Sequence, residues 1–141
     1  MRVLGLDVGD IRIGVALSDP TRTIATPLKT IIRKQEDSSV LLEISSVAKQ
    51  YGAVEIVVGA PISLSGRYGK QAKKTALFIK SLAKQVTVPI VQVDERYSTI
   101  QAERLLRASG VEPSKDRARL DAAAAAVILQ SYLDSNRTSH S

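Results

Sequence analysis

The stretch that decides the fold is MRVLGLDVGDIRIGVALSD, residues 1–19 of the chain. Residues 3–8 are apolar apart from a glycine and a carboxylate, and they predict a buried strand. Residues 11–17 alternate between large apolar side chains and small or charged ones, which predicts a second strand. Gly9 and Asp10 link the two, and a two-residue link that begins with glycine predicts a type II′ hairpin turn. The chain therefore opens with an antiparallel hairpin.

Asp7 is a lone carboxylate within the first predicted strand. Burying an ionised carboxylate costs several kcal/mol unless a cation or a set of hydrogen-bond donors compensates it. We therefore expect Asp7 to face a metal ion, an arginine or the opening of a site. The alternative is that Asp7 caps the turn, although Asp10 already offers the turn that side-chain chemistry.

The composition bounds the chemistry. The 141 residues suffice for one domain with a real core, and 44% of them are hydrophobic. No apolar run approaches the roughly 20 residues of a membrane span, and no secretory leader is recognisable, so we expect a cytoplasmic protein with no membrane partner. The chain has no cysteine, and its one histidine is His140, beside the end. Thiol nucleophiles, zinc-thiolate sites and serine-histidine triads are therefore excluded. Oxygen ligands remain, and they favour Mg²⁺ or Mn²⁺.

The charge indicates a polyanionic partner such as nucleic acid. The formal net charge is +6 and the sequence pI is about 9.8. No acidic residue occurs from Ile56 to Val93, and the basic residues of that stretch are Arg67, Lys70, Lys73, Lys74, Lys80 and Lys84. A helix predicted over 70–86 puts its lysines on one arc. Such a stripe is most often a solvated face, but without acids to balance it the stripe predicts binding to phosphate backbone.

The remaining chain alternates strands and helices. A third strand over 24–33 contains Pro27, which indicates an edge position because proline cannot donate to a central ladder. A loop is predicted over 62–69, and a polar tail from Asn136 onward. The further predicted elements are a helix over 36–51, a strand over 56–59, the helix over 70–86, a strand over 89–93, and helices over 99–108 and 117–133.

Two further carboxylate positions accompany this pattern. Asp94 and Glu95 follow the fifth strand, at the end where open α/β sheets bind ligands. Asp121 lies in the middle of the apolar face of the last helix. Each has a structural alternative, since Asp94 and Glu95 could complement the dipole of the next helix and Asp121 could be an N-cap. Taken with Asp7, however, they supply the oxygen ligands that two-metal phosphoryl transfer requires.

The sequence resembles the YqgF/RuvX family of RNase H-like proteins, also called Holliday junction resolvase-like, over about residues 2–134. The motifs that carry the resemblance are GLDVG at 5–9, RIGVALSD at 12–19, VVGAP at 57–61 with Gly66 and Gly69, DER at 94–96, and DAA at 121–123 with LQSYL at 129–133. The chain departs from the family at Ile11, where a lysine is frequent, and at Tyr97-Ser98-Thr99, where the family often has two threonines. Ser98 keeps a hydroxyl at the second departure.

The resemblance implies a single RNase H-like α/β domain over 1–135, with a five-stranded mixed sheet and helices on both faces. It implies that the catalytic, metal-binding acids are Asp7, Asp121 and one of Asp94 and Glu95. We favour Glu95 and keep Asp94 as its alternative. Substrate phosphates would then be bound by the basic and hydroxyl residues Arg12, Arg96, Ser98, Arg67, Lys70, Lys73 and Lys74.

We therefore predict a two-metal-ion phosphodiesterase that uses Mg²⁺ or Mn²⁺ and processes the 5′ end of pre-16S rRNA, as a monomer or homodimer. Two alternatives remain open. The first is a resolvase of branched DNA, as the family's other name suggests, and the second is a non-catalytic RNA-binding assembly factor. A nucleotide-binding ATPase is disfavoured because such enzymes close two related domains on the nucleotide, and 141 residues supply one.

Overall fold

Five strands and four helices make up the part of the chain that the structure describes. The computed structural model describes residues 1–33, 37–60, 66–94, 98–110, 112 and 115–139. The strands are β1 (Arg2–Val8), β2 (Arg12–Ser18), β3 (Ala25–Ile32), β4 (Ala53–Ala60) and β5 (Ile90–Asp94). The helices are α1 (Asp37–Gln50), α2 (Gly66–Ala83), α3 (Ser98–Ala108) and α4 (Arg117–Ser139). The predicted order of elements is confirmed.

The strands form one mixed sheet in the order β3-β2-β1-β4-β5. β1, β2 and β3 pair antiparallel, whereas β4 and β5 run parallel to β1. Pro27 pairs with Ala16, where the register between β2 and β3 shifts by a bulge. Its strand is an edge strand, as predicted, because a proline inside the sheet would leave a neighbouring carbonyl without a donor.

Helices cover both faces of the sheet, which confirms the predicted α/β class. On one face, Leu4, Leu6 and Val8 of β1 pack with the apolar residues of α1 and α2. On the other face, Val3 of β1 packs with the apolar side of α4. α3 in turn packs on α4 through small residues. Among the described residues, no helix is both long enough and apolar enough to span a membrane.

The backbone of α4 touches the backbone of the sheet. A β-carbon added at Gly14 of β2 would lie 1.9 Å from the carbonyl oxygen of Asp121, and one added at Gly5 of β1 would lie 2.8 Å from the β-carbon of Leu129. Both distances are shorter than any real contact, so only glycine fits at these positions. Ala125 and Ala126 of the helix are buried against the sheet, whereas Ala123 and Ala124 are buried against α3. Small residues on both sides therefore let helix and sheet approach closely.

The hairpin turn differs from the prediction. Val8 pairs with Ile13, and the Gly9 nitrogen donates to the Arg12 oxygen at 2.9 Å, so the turn is centred on Asp10-Ile11 rather than Gly9-Asp10. Gly9 has no positive φ, as a II′ turn starting there would require. A β-carbon at Gly9 would instead lie 2.8 Å from the Arg12 oxygen. Glycine is required there for space, and Ile11 is exposed in the turn.

Two helix boundaries also differ. α2 begins at Gly66, inside the loop predicted over 62–69, because two glycines in its first turn masked the helical pattern. α4 continues past its predicted end at Leu133 to Ser139. The prediction followed the apolar periodicity, but residues 134–139 contain neither glycine nor proline to end the helix.

We predict that Gly14→Ala destabilises the protein by about 3 kcal/mol, because the added methyl group forces the α4 backbone away from the sheet. Gly69→Ala is the matched control, since nothing lies within 4 Å of a β-carbon added there. This substitution in α2 should raise the free energy of unfolding by about 0.5–1 kcal/mol. Urea denaturation followed by circular dichroism measures both values. Equal stability of the two variants would contradict the close contact at Gly14.

Candidate active site

Asp7 lies near the carboxyl end of β1, half-buried. It pairs with Gly14 of β2 on one side and with Gly59 of β4 on the other. Side chains alternate along a strand, so Asp7 shares its face with Val3 and Gly5, which is the face that α4 covers. Asp7 thus lies within the sheet, on the face that α4 covers.

Asp121 lies directly over the residue that pairs with Asp7. Its carbonyl oxygen is the atom that prevents a side chain at Gly14, and Gly14 is the β2 partner of Asp7. The two acids therefore flank one glycine. The N-cap of α4 is Asp116, whose Oδ1 accepts a hydrogen bond from the Arg119 backbone nitrogen at 3.1 Å. Asp121 follows this cap by more than a turn, so the capping alternative for it is wrong.

Arg12 neutralises Asp121. Its Nε donates to Asp121 Oδ2 at 2.5 Å, and the side chains are 31% and 23% exposed. Because side chains alternate along a strand, Arg12 lies on the same face of β2 as Gly14 and Ala16, which is the face that α4 covers. A charge-assisted hydrogen bond in this half-buried setting holds the carboxylate in place. The structure thus brings together three of the predicted site residues: Asp7, Arg12 and Asp121.

Asp94 is not part of this group. It is the last residue of β5 and pairs with Ala60 of β4, one residue beyond the pair of Gly59 with Val93. Val93 packs in the α4 cluster. By alternation Asp94 therefore belongs to the opposite face of the sheet from Asp7, and it is exposed.

The other predicted site residues are described in part. Glu95 and Arg96 lie outside the described residues. Arg67 and Ser98 belong to the first turns of α2 and α3, and their side chains lie outside what the structure describes. The α2 lysines Lys70, Lys73, Lys74 and Lys80 are exposed, and so is Lys84 just beyond the helix.

The described acids have the type of ligand atom that a divalent metal ion requires. Asp7 and Asp121 offer only oxygen, which Mg²⁺ and Mn²⁺ prefer. Within the described ranges, no three Asp, Glu, His or Cys side chains are grouped closely enough to hold a metal. The described part of the site therefore supplies two of the three acids that the sequence predicts.

Sequence reasoning missed Arg33, which follows β3. Its Nη1 donates to the Gly9 carbonyl oxygen at 2.8 Å, and its backbone nitrogen donates to the Ile11 oxygen at 2.8 Å. No local pattern singles out an arginine after an edge strand, because its partners lie about 20 residues earlier along the chain.

Curated relatives match nearly the whole chain. A protein of Roseiflexus sp. (strain RS-1) is 45% identical over 136 residues, covering 96% of this chain and 96% of its own. A protein of Mycobacterium leprae (strain Br4923) is 45% identical over 137 residues, covering 96% of this chain and 74% of its own. Both bear the name "Putative pre-16S rRNA nuclease".

Solved structures share the fold. RuvC of Thermus thermophilus, in complex with a Holliday junction substrate, has a TM-score of 0.60 at 14% identity and covers 97% of this chain and 96% of its own. Fowlpox virus resolvase, with Holliday junction DNA, has a TM-score of 0.56 at 14% identity and covers 96% of this chain and 99% of its own. At this identity the likeness establishes the RNase H-like fold alone.

The family follows from the sequence match. The model for "RuvX: Holliday junction resolvase" matches residues 1–135. The Roseiflexus protein is also 45% identical over 96% of both chains. Together these matches show that the chain belongs to the RuvX family.

Proposed function

We propose that this protein is a metal-dependent nuclease that hydrolyses phosphodiester bonds at the 5′ end of pre-16S rRNA. The observation that carries the proposal is the position of Asp7 and Asp121 on either side of Gly14, on the face that α4 covers. Asp7 and Asp121 are more than 100 residues apart in sequence, yet both lie next to Gly14 near the carboxyl end of β1. Such a convergence is typical of a catalytic site and has no structural necessity.

The names of the relatives support the substrate. Two proteins that are 45% identical to this chain bear the name "Putative pre-16S rRNA nuclease". The net charge of +6 and the acid-free stretch from Ile56 to Val93 suit a polyanion. Arg12 offsets the charge of Asp121, and the proposal includes a metal ion to offset the remaining acids, which would otherwise repel phosphate.

Asp7, Asp121 and Glu95 would hold the metal ions. We choose Glu95 over Asp94 because Asp94 belongs to the opposite face of the sheet from Asp7. Bound Mg²⁺ or Mn²⁺ would prepare water for attack and stabilise the leaving oxygen.

The other residues bind and orient the substrate. Arg12 carries a permanent positive charge beside Asp121, so it can attract a phosphate toward the acids. Arg96, Ser98 and Arg67 would add contacts near the reacting phosphate. The exposed lysines of α2, Lys70, Lys73 and Lys74, would bind backbone farther out. Phosphate contacts position a nucleic acid without reading its sequence.

Branched DNA is the second candidate substrate. The family description names a Holliday junction resolvase. Cutting both strands of a junction symmetrically calls for two active sites, so this function requires a homodimer.

We predict that the wild-type protein cleaves a labelled 5′-extended 16S rRNA fragment with Mg²⁺ or Mn²⁺ and not with EDTA. Asp7→Asn should lower the cleavage rate by several orders of magnitude, because it removes a ligand charge, while leaving RNA binding intact. Glu95→Gln should behave in the same way. Asp94→Asn, its neighbour in sequence, is the matched control and should cleave at close to the wild-type rate.

The substrate is decided by a parallel assay with a four-way DNA junction. Cleavage of the junction alone would replace the rRNA proposal by the resolvase. Equal binding of both substrates by wild type and Asp7→Asn, with no cleavage by either, would leave a non-catalytic RNA-binding protein. Loss of activity in Asp94→Asn with full activity in Glu95→Gln would reverse the choice of the third acid.

We predict further that Arg12 competes with the metal ion for Asp121. Isothermal titration with Mn²⁺ should show binding by the wild type and its loss in Asp7→Asn. Arg12→Gln should bind Mn²⁺ about three- to tenfold more tightly, because it removes a positive charge 2.5 Å from the ligand oxygen. Weaker Mn²⁺ binding by Arg12→Gln would mean that Arg12 only orients Asp121.

A further inference from the structure

A cleft lies between the hairpin tip and α2, on the reverse side of the hairpin from Asp121. We call it the hairpin cleft. It has a volume of about 290 Å³, and its polar lining comes from Asp10, Arg33, Gln71, Lys74, Thr75 and Ser81. Val8 also lines the cleft, and Val8 follows Asp7 and faces the other way. A single layer of β-strand therefore separates the hairpin cleft from the candidate active site.

Arg33 is held rigidly in the hairpin cleft. Its guanidinium donates to the Gly9 carbonyl oxygen at 2.8 Å and lies over the Phe78 ring, 5.3 Å from the ring centroid. An arginine stacked on an aromatic ring keeps its charge and loses little conformational freedom when it binds an anion.

Lys74 is the second cation of the hairpin cleft, and its present partner is easily replaced. Its Nζ lies 3.7 Å from Asp10 Oδ1, with side chains 63% and 61% exposed. Ion pairs this exposed contribute little to stability because water screens both charges. A phosphate can therefore replace Asp10 at small cost. Lys70 and Lys73 are exposed on the same helix, which contains no acid.

We propose that the hairpin cleft binds a backbone phosphate of the nucleic-acid substrate through Arg33 and Lys74. The substrate strand would pass around the hairpin tip, with one phosphate beside Arg12 and the two acids and another in the hairpin cleft. The volume equals that of roughly ten water molecules, which admits a phosphate with its hydration. This inference rests on the proposed function because it takes the same substrate.

The test is equilibrium binding of the 5′-extended rRNA fragment and of the four-way DNA junction by fluorescence anisotropy, in EDTA, at several salt concentrations. Lys74→Gln should weaken binding at least fivefold and reduce the slope of log K against log salt by about 1. Lys49→Gln, which removes an exposed lysine of α1, is the control for charge and should change binding less than twofold.

Asp10→Asn tests the same cleft in the opposite direction. It frees Lys74 and should tighten binding about two- to fivefold, whereas Glu43→Gln, which removes the exposed partner of Lys29, should not. Arg33→Lys should weaken binding even if its charge remains, because lysine cannot keep both the Gly9 bond and the ring contact. The thermal unfolding of Arg33→Lys is measured in parallel to show whether this variant is folded. If it is not folded, the binding results of Lys74→Gln and Asp10→Asn decide the inference.

Equal effects of Lys74→Gln and Lys49→Gln, or no tightening by Asp10→Asn relative to Glu43→Gln, would overturn the hairpin cleft as a site. The same contrasts with the junction and not with the RNA would support the cleft and overturn the RNA substrate. Because binding in EDTA needs no cleavage, failure of the nuclease proposal is seen separately in the cleavage assay.

Discussion

The close approach of α4 to the first two strands is the constraint on which the structure depends. Backbone meets backbone at Gly14, and at Gly5 the β-carbon of Leu129 leaves no room for a side chain. Away from these two points, apolar side chains such as Val3 and Leu129 pack between the helix and the sheet. Packing of this kind gains dispersion contacts and excludes water, but it tolerates no added volume. The sheet must therefore present its smallest residues where the helix crosses.

This contact also determines where the charges lie. Because Asp121 sits over Gly14, its side chain starts within reach of β2, where Arg12 pairs with it at 2.5 Å. The neighbouring strand, β1, places Asp7 beside Gly14. An ion pair of this half-buried kind is weak evidence for stability. The pair neutralises a carboxylate on the face of the sheet that Asp7 shares, and so lowers the repulsion between the two acids.

Much of this fold could be predicted because periodicity reports burial. The apolar runs of β1 and β4, the edge position of Pro27 and the apolar face of α4 follow from local pattern. The site was predictable only as a set of acids. The face of the sheet to which Asp94 belongs follows from alternation only once its pairing with Ala60 is known. The position of Arg33 depends on its contact with the hairpin turn, which is distant in sequence. The predicted register of the turn is wrong because Gly9 is required for space and not for a positive φ. The sequence shows a glycine in either case and does not distinguish the two requirements.

The alanine and glycine contact has a mechanical consequence. Adjacent residues of a helix advance by 1.5 Å, so a slide of α4 by even one residue would push the Leu129 side chain along β1 at Gly5, where its β-carbon already leaves no room. The helix is therefore locked in translation as well as in distance. Any adjustment of the candidate site must therefore come from side-chain rotation or from the strand ends, while the separation between β2 and the turn of α4 that contains Asp121 stays constant.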